Sequence, residues 1–354
     1  MNDLMSRRGF TVVELGVLVA LLGSLGAVLV PVGNQLQKNN LDTRSQWVHH
    51  DLARRQMMYM GDNKGAFTGP NTTGADWNKD LIGGLPNKGI ETLEFDTDGA
   101  NPTSQGDWIS PLVGASYGFS ANRAVRTQQR FEVMADPTTN RMVDAIYTVD
   151  TPDDYDQFVD VLNSTGFRQR SFLQIRSFTH YSVEHQPSNV VIDIENGIGY
   201  FERFAVQHPA AEALSPSGYT PNIVNVGVQL SNKVMIADGT RFYTDGVGLD
   251  FDIDTVPQFS TDADSGPIFN GSIAYGRYAS SSPSQENLNL SYRKKGGQGM
   301  YVTMFDGSLK YMSREESWTD PTPWYPSGSV WQGNGATPES LDWVEKNLVD
   351  GVIH

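Results

Sequence analysis

One carboxylate interrupts the longest apolar run of this 354-residue chain. Residues 10–32 read FTVVELGVLVALLGSLGAVLVPV, and Glu14 is the one charged side chain among them. A carboxylate in a membrane-depth helix costs on the order of 3 kcal/mol even on lenient insertion scales. Such a residue is a functional hypothesis by default and calls for a named partner. The competing reading is a glutamate close enough to the interface to snorkel.

Further along, other residue types could do chemistry. Gly114-Ala115-Ser116-Tyr117-Gly118 matches the G-x-S-x-G nucleophile elbow and follows a stretch, 108–113, that reads as a strand. No HGGG-type stretch and no alternating βα pattern accompany it, so a Gly-rich turn between strands is the better reading. Asp250, Asp252 and Asp254 alternate, and Asp262 and Asp264 follow closely. Clustered carboxylates suit calcium, which takes six to eight oxygens, and strand alternation would put the first three on one face. A structural calcium ion there is weighed against plain solvated acidic loops. Position six of an EF-hand count from Asp250 is Thr255, not Gly, so that motif is excluded.

The histidines are weaker signals. His180 and His185 flank Glu184, yet five-residue spacing in a strand sends them to opposite faces. His49 and His50 lie about 100° apart on a helix and read as part of a solvated face. Lys294-Lys295-Gly296-Gly297-Gln298-Gly299 lacks the GK[ST] of a phosphate loop and reads as a flexible loop. The seven tryptophans and fourteen tyrosines are scattered and form no stacking platform.

Composition narrows the classes. The net charge of -15 argues against a nucleic-acid backbone as the main partner. The absence of cysteine removes disulfides, zinc thiolates and cysteine nucleophiles. Thirty-five glycines and eighteen prolines imply a loop-rich chain.

Elements must position these groups. Residues 10–32 would span roughly 34 Å as a helix, enough for a hydrocarbon core. Arg7 and Arg8 precede the run, so the positive-inside rule puts Met1 in the cytoplasm and the rest outside. Leu36, Leu41, Val48 and Leu52 recur at roughly helical spacing, Asp51 and Arg55 form an i,i+4 pair, and Gly61 to Gly65 stop the helix. The remainder reads mostly as β with long loops. Asn196-Gly197, Asp238-Gly239 and Asp306-Gly307 each lie between β-rich runs and read as hairpin tips. Thr337 and Pro338 open a C-terminal helix to Leu348 that stops at Asp350-Gly351.

The stretch RRGFTVVELGVLVALLG resembles the class III signal of type IV prepilins and type II secretion pseudopilins. Gly9 matches the cleavage glycine, Phe10 the methylated first mature residue and Glu14 the fifth-position glutamate. Pro31 matches the helix-kinking proline. The resemblance implies that the freed Phe10 amine of one subunit pairs with Glu14 of a neighbour. SYGFSAN (116–122), VEHQPSNVVI (183–192), GGQGMYVTMFDGSLKY (296–311) and DPTPWYPSGSVW (320–331) look like segments of large pilin-like proteins of planctomycetes and verrucomicrobia. In those proteins a histidine often precedes the Gly-rich stretch; here Arg293, Lys294 and Lys295 stand instead.

The expected architecture is α+β. A long N-terminal helix, one half in the membrane and the other under the head, packs on a large, mainly antiparallel β head with long loops. Residues 1–9 are the leader, 10–60 the helix with 10–32 transmembrane, and 61–354 the head. The resemblance implies a non-enzymatic filament subunit, with no cofactor beyond the calcium considered above. Its partners would be the prepilin peptidase, the inner-membrane assembly platform, the membrane and other pilin-like subunits including itself. The precursor would sit in a bacterial inner membrane with its head outside the cytoplasm, then enter a periplasmic or surface filament. The competing class is an exported, membrane-anchored enzyme or binding protein. A twin-arginine export signal is the rival reading of residues 6–10, but no A-x-A site occurs near residues 20–35.

Overall fold

The computed structural model describes residues 12–69, 98–139, 142–183, 212–239, 250–253 and 290–354, apart from 105–106, 149–150, 170 and 335, together with Gln207. The side chains of residues 12–36, Tyr147, Asp250 and Asp252 lie outside the described set. The chain forms two compact units, Met1–Ser45 and Gln46–His354.

Helix α1 (Val12–Asp62) crosses the boundary between these units. Within the larger unit it buries His49, Leu52, Ala53, Gln56 and Met60. Their spacing of three and four residues is one face of an α-helix. Lys64 and Gly65 end it with positive φ (55° and 86°), and the Gly65 amide donates to the Met60 carbonyl at 2.7 Å. This left-handed exit satisfies carbonyls that the last turn leaves open.

Two short helices follow. α2 (Ser110–Tyr117) has a proline in its first turn and closes on left-handed Gly118. α3 (Arg123–Val133) is capped by the Asn122 side chain, which accepts from the Val125 amide. Strand β1 (Ala145–Tyr147) precedes α4 (Tyr155–Ser164). Next come β2 (Phe172–Gln174), the single turn α5 (Arg176–Thr179) and β3 (Ala213–Leu214). Then come α6 (Ile223–Val226), β4 (Val234–Asp238) and β5 (Asp250–Asp252). The chain ends with β6 (Gly299–Met304), β7 (Leu309–Ser313), α7 (Arg314–Thr319), β8 (Val330–Trp331) and α8 (Pro338–Asn347).

The principal sheet has the order β2-β4-β6-β7 and is antiparallel throughout. β4 is buried at all five positions, as a central strand covered on both faces must be. The β6–β7 hairpin turns at Asp306-Gly307, where Gly307 has φ 83° and its amide donates to Met304. One large core lies around this sheet and includes Leu52, Trp108, Phe172, Ile236, Val302 and Trp324. A second core stands apart, where Phe131, Phe158, Phe167 and Phe251 pack with ring centroids 4.8–6.2 Å apart. It is covered by α3, α4 and the parallel pair β1–β5.

The expected fold class is therefore corrected. The head is mixed α/β, with seven further α-helices distributed among eight strands in the described residues, and one strand pair is parallel. Residues 108–117 show why the sequence misled. Trp108, Ile109 and Val113 are apolar enough for a strand, but Asp107 accepts from the Ile109 and Ser110 amides and starts a helix instead. In α3 the buried face carries Arg123, Arg126 and Arg130, which hides its amphipathic pattern. Among the described residues no helix is long and apolar enough to cross a membrane. The expected span 10–32 lies outside the residues whose side chains are described.

Candidate functional site: a buried ionic relay between α1 and the sheet

Five segments bring polar and charged groups into the principal core. α1 supplies His49, the last residue of β4 supplies Asp238, and β6 supplies Tyr301 and Thr303. The segment before β6 supplies Arg293 and Lys294, and Asp136 follows α3. His49 Nε2 lies 3.0 Å from Asp238 Oδ1, and His49 Nδ1 lies 2.9 Å from Thr303 Oγ1. A carboxylate only accepts, so Nε2 donates to Asp238, and Nδ1 and the Thr303 hydroxyl share the second hydrogen bond. Asp238 Oδ2 accepts the Tyr301 amide at 3.0 Å.

The relay continues through Arg293. Its Nη2 lies 3.7 Å from Asp238 Oδ1 and donates to the Ser171 carbonyl at 2.7 Å. Its Nε lies 3.9 Å from Asp136 Oδ2, which Lys294 Nζ reaches at 3.2 Å. Asp136 Oδ1 also accepts the Thr138 amide at 2.7 Å and the Thr138 hydroxyl. Lys294 Nζ stands 5.2 Å from the centre of the Tyr301 ring, and the edge of His49 packs on Phe172 at 4.8 Å. Two cations, Arg293 and Lys294, face two carboxylates, Asp136 and Asp238. Every ion has an opposite partner, the condition under which buried charge is tolerable.

Thr303, His49 and Asp238 have the connectivity of a nucleophile, a general base and an orienting acid. Access decides against catalysis by this trio, because all three are 0% exposed. A hydroxyl sealed in a packed core meets no substrate. What the arrangement does is fix α1 to the sheet in one register and at one rotation.

A second buried ionic cluster holds the smaller helices. Asp107 faces Arg130 at 3.0 Å and accepts from Thr103 and Ser110. Burial alone would raise its pKa, but the Arg130 charge and these hydrogen bonds prevail and hold it well below the ordinary carboxylate value. Arg123 grips Asp154 through Nη1 at 2.9 and 3.0 Å and caps the Ile253 carbonyl with Nη2. Arg126 donates to the Ser120 and Ala121 carbonyls at 2.9 and 2.5 Å.

The residues singled out from sequence fall as follows. Gly9 and Phe10 lie outside the described residues. Glu14 and Pro31 fall within α1, but their side chains lie outside the described set. Asp250 and Asp252 fall on β5, where Phe251 and the following Ile253 are buried; Asp254, Asp262 and Asp264 lie outside. Among the described residues no group of three acidic or histidine side chains could hold a metal.

Ser116 sits in the last turn of α2, accepts from Arg55 at 2.7 Å and donates to the Val113 carbonyl, so the elbow geometry is not formed. His180 is buried: its Nδ1 donates to the Arg176 carbonyl at 2.8 Å and its Nε2 accepts from Arg176 Nε at 3.1 Å. Glu184, His185 and Asn196-Gly197 lie outside the described residues.

Three expectations are corrected. His49 was expected on a solvated face and is buried, whereas His50 is exposed. Asp238 was expected at a hairpin tip; it ends β4, pairs with Phe172, and Gly239 bridges Leu290. Residues 294–299 were expected to be a flexible loop. They form a closed turn in which Lys294 and Gly299 pair, Gly296 and Gly297 take positive φ, and Lys295 Nζ caps the Tyr311 ring at 3.8 Å.

Sequence reasoning gave Asp136 no role. The usable signal was an acid or histidine set beside apolar residues of the same element: His49 three and four residues before Leu52 and Ala53, and Asp238 ending VMIAD. No family model, curated protein or solved structure matches the chain.

Proposed function

We propose that the chain is a structural subunit of a type IV pilus-like or type II secretion pseudopilus filament, processed between Gly9 and Phe10. The observation that carries this reading is the position of Glu14, five residues past Gly9 in a run otherwise free of charge. Processing frees the amine of Phe10, a cation that can pair with Glu14 of a neighbouring subunit. The pair is far cheaper to hold in an apolar filament core than either charge alone. Residues 10–32 hold the precursor in a bacterial inner membrane, with the head outside the cytoplasm. The partners are the prepilin peptidase, the assembly platform and other pilin-like subunits.

The relay gives this reading a mechanical basis. A filament transmits load through its helices, so each head must be fastened to its helix. His49 with Asp238, and Gln46 donating to the Tyr301 hydroxyl at 2.8 Å, are such fastenings. The test is the N-terminus of the mature protein, read by mass spectrometry. A methylated Phe10 at the first position is expected. An intact Met1, or cleavage beyond residue 30, overturns the proposal.

A further inference from the structure

The face of α1 turned away from the core is unusual for so acidic a chain. Trp47 is 60% exposed and Met58 62%. His50 and Arg54 lie between them, both exposed. At 100° per residue these four share an arc of about 80°. No carboxylate is exposed on this stretch of the helix: Asp51 is buried and held by Arg54, Arg55 and Tyr117. The result is an apolar-cationic-apolar stripe on a chain of net charge -15.

α8 carries the reciprocal pattern. Leu341 is 45% exposed, and Val349, just past the helix end, is 72% exposed. Asp342, Glu345 and Lys346 lie between them and are exposed; Lys346 pairs with Asp342 at 2.6 Å, so Glu345 is the acid this face offers to Arg54. Trp47 and Met58 stand roughly 16 Å apart along α1, and Leu341 and Val349 bracket the C-terminal half of α8. α4 also shows outward acids, Asp153 just before it and Asp156 and Asp160 within it, but offers no large exposed apolar side chain. Charge alone would not choose between α4 and α8; the flanking apolar residues do.

We infer that the outward face of α1 in one copy of the chain docks on the outward face of α8 in a second copy. Trp47 and Met58 meet Leu341 and Val349, and Arg54 meets Glu345. Because the two faces differ, the contact is heterologous, and each pair leaves one face of each kind free for a further copy. The inference needs only a second copy and stands apart from the reading of residues 9–14.

The chain contains no cysteine, so engineered thiols report contacts without background. Full-length Trp47→Cys and Leu341→Cys variants, carrying different tags, are mixed in detergent under mild oxidation. A mixed disulfide-linked dimer is expected. Adding Arg54→Glu to the Trp47→Cys chain should abolish it, and adding Glu345→Arg to the Leu341→Cys chain should restore it.

Absence of the mixed dimer overturns the inference. So does a Trp47→Cys self-dimer of equal yield, which would mean that α1 faces pair with each other, and so does failure of the charge swap to restore the product. The N-terminal mass of the same preparations reads the processing reaction separately, so either idea can fail alone.

Discussion

Asp238, with no exposed surface, accepts from His49 and from a backbone amide while facing Arg293. Truncating one member of such a buried set leaves the others charged and unpaired. Asp238→Ala should therefore lower unfolding free energy by about 3–5 kcal/mol in denaturant titrations. His49→Leu removes the hydrogen bonds to Asp238 and Thr303 and should cost about 1–3 kcal/mol.

His180 makes a separate prediction. Burial, reinforced by the Arg176 charge and opposed by the Arg176 carbonyl, holds it well below its ordinary 6.5. The unfolded chain takes up a proton near that pH and the folded chain does not, so stability falls as pH drops below about 6.5. Melting temperature measured from pH 7.5 to 5 should decline, and His180→Gln should flatten the decline. Asp107 acts in a lower window: its contribution is complete above the ordinary 3.8 and is lost as pH falls below it.

Helix ends and turns were the most legible elements. The Asp51–Arg55 pair forms at 2.8 Å, the helix stops by Gly65, Thr337 caps α8 and Asp306-Gly307 turns the last hairpin. Each depends on residues within about five positions of one another, so local sequence suffices. Asp238-Gly239 is the same dipeptide with the opposite fate, because its partners are His49, 189 residues away, and Tyr301. No local pattern encodes that. Helix α3 was missed for a related reason: its buried side carries Arg123 and Arg130, whose carboxylate partners Asp154 and Asp107 lie outside the helix.

Caps absent from the sequence reading are also testable. Ser313 and Glu316 form a reciprocal capping box at the start of α7, so Ser313→Ala should cost about 1 kcal/mol. A Cβ on Gly114 would stand 1.9 Å from the Gly99 carbonyl oxygen, closer than any real contact. Gly114→Ala should therefore destabilise by about 1–3 kcal/mol, checked by thermal denaturation beside a Gly118→Asn control, where open space surrounds the position.

For the molecule as a whole, the proposed role predicts a separation of insertion from assembly. Glu14→Leu removes the costly charge, so membrane insertion should be unimpaired or improved. Filament yield should fall sharply, because the Phe10 amine of the next subunit loses its counter-ion. Electron microscopy of sheared filaments beside membrane fractionation reads both; normal filament yield from this variant would falsify the pairing.

The acidic runs at 250–254 and 262–264 carry their own test. In a calcium titration of the purified protein followed by calorimetry, uptake that Asp252→Asn weakens supports a site in these runs, and no heat of binding removes it.

The fastening of α1 also sets a timetable. His49 emerges from the ribosome early, but Thr303 follows 254 residues later. At 5–20 residues per second that is a delay of roughly 13–50 s. Throughout it the core that Leu52, Ala53 and Met60 share lacks its β6–β7 hairpin. The helix is thus made long before its seat, and whatever shelters that face in the interval governs how much of the protein reaches its native form.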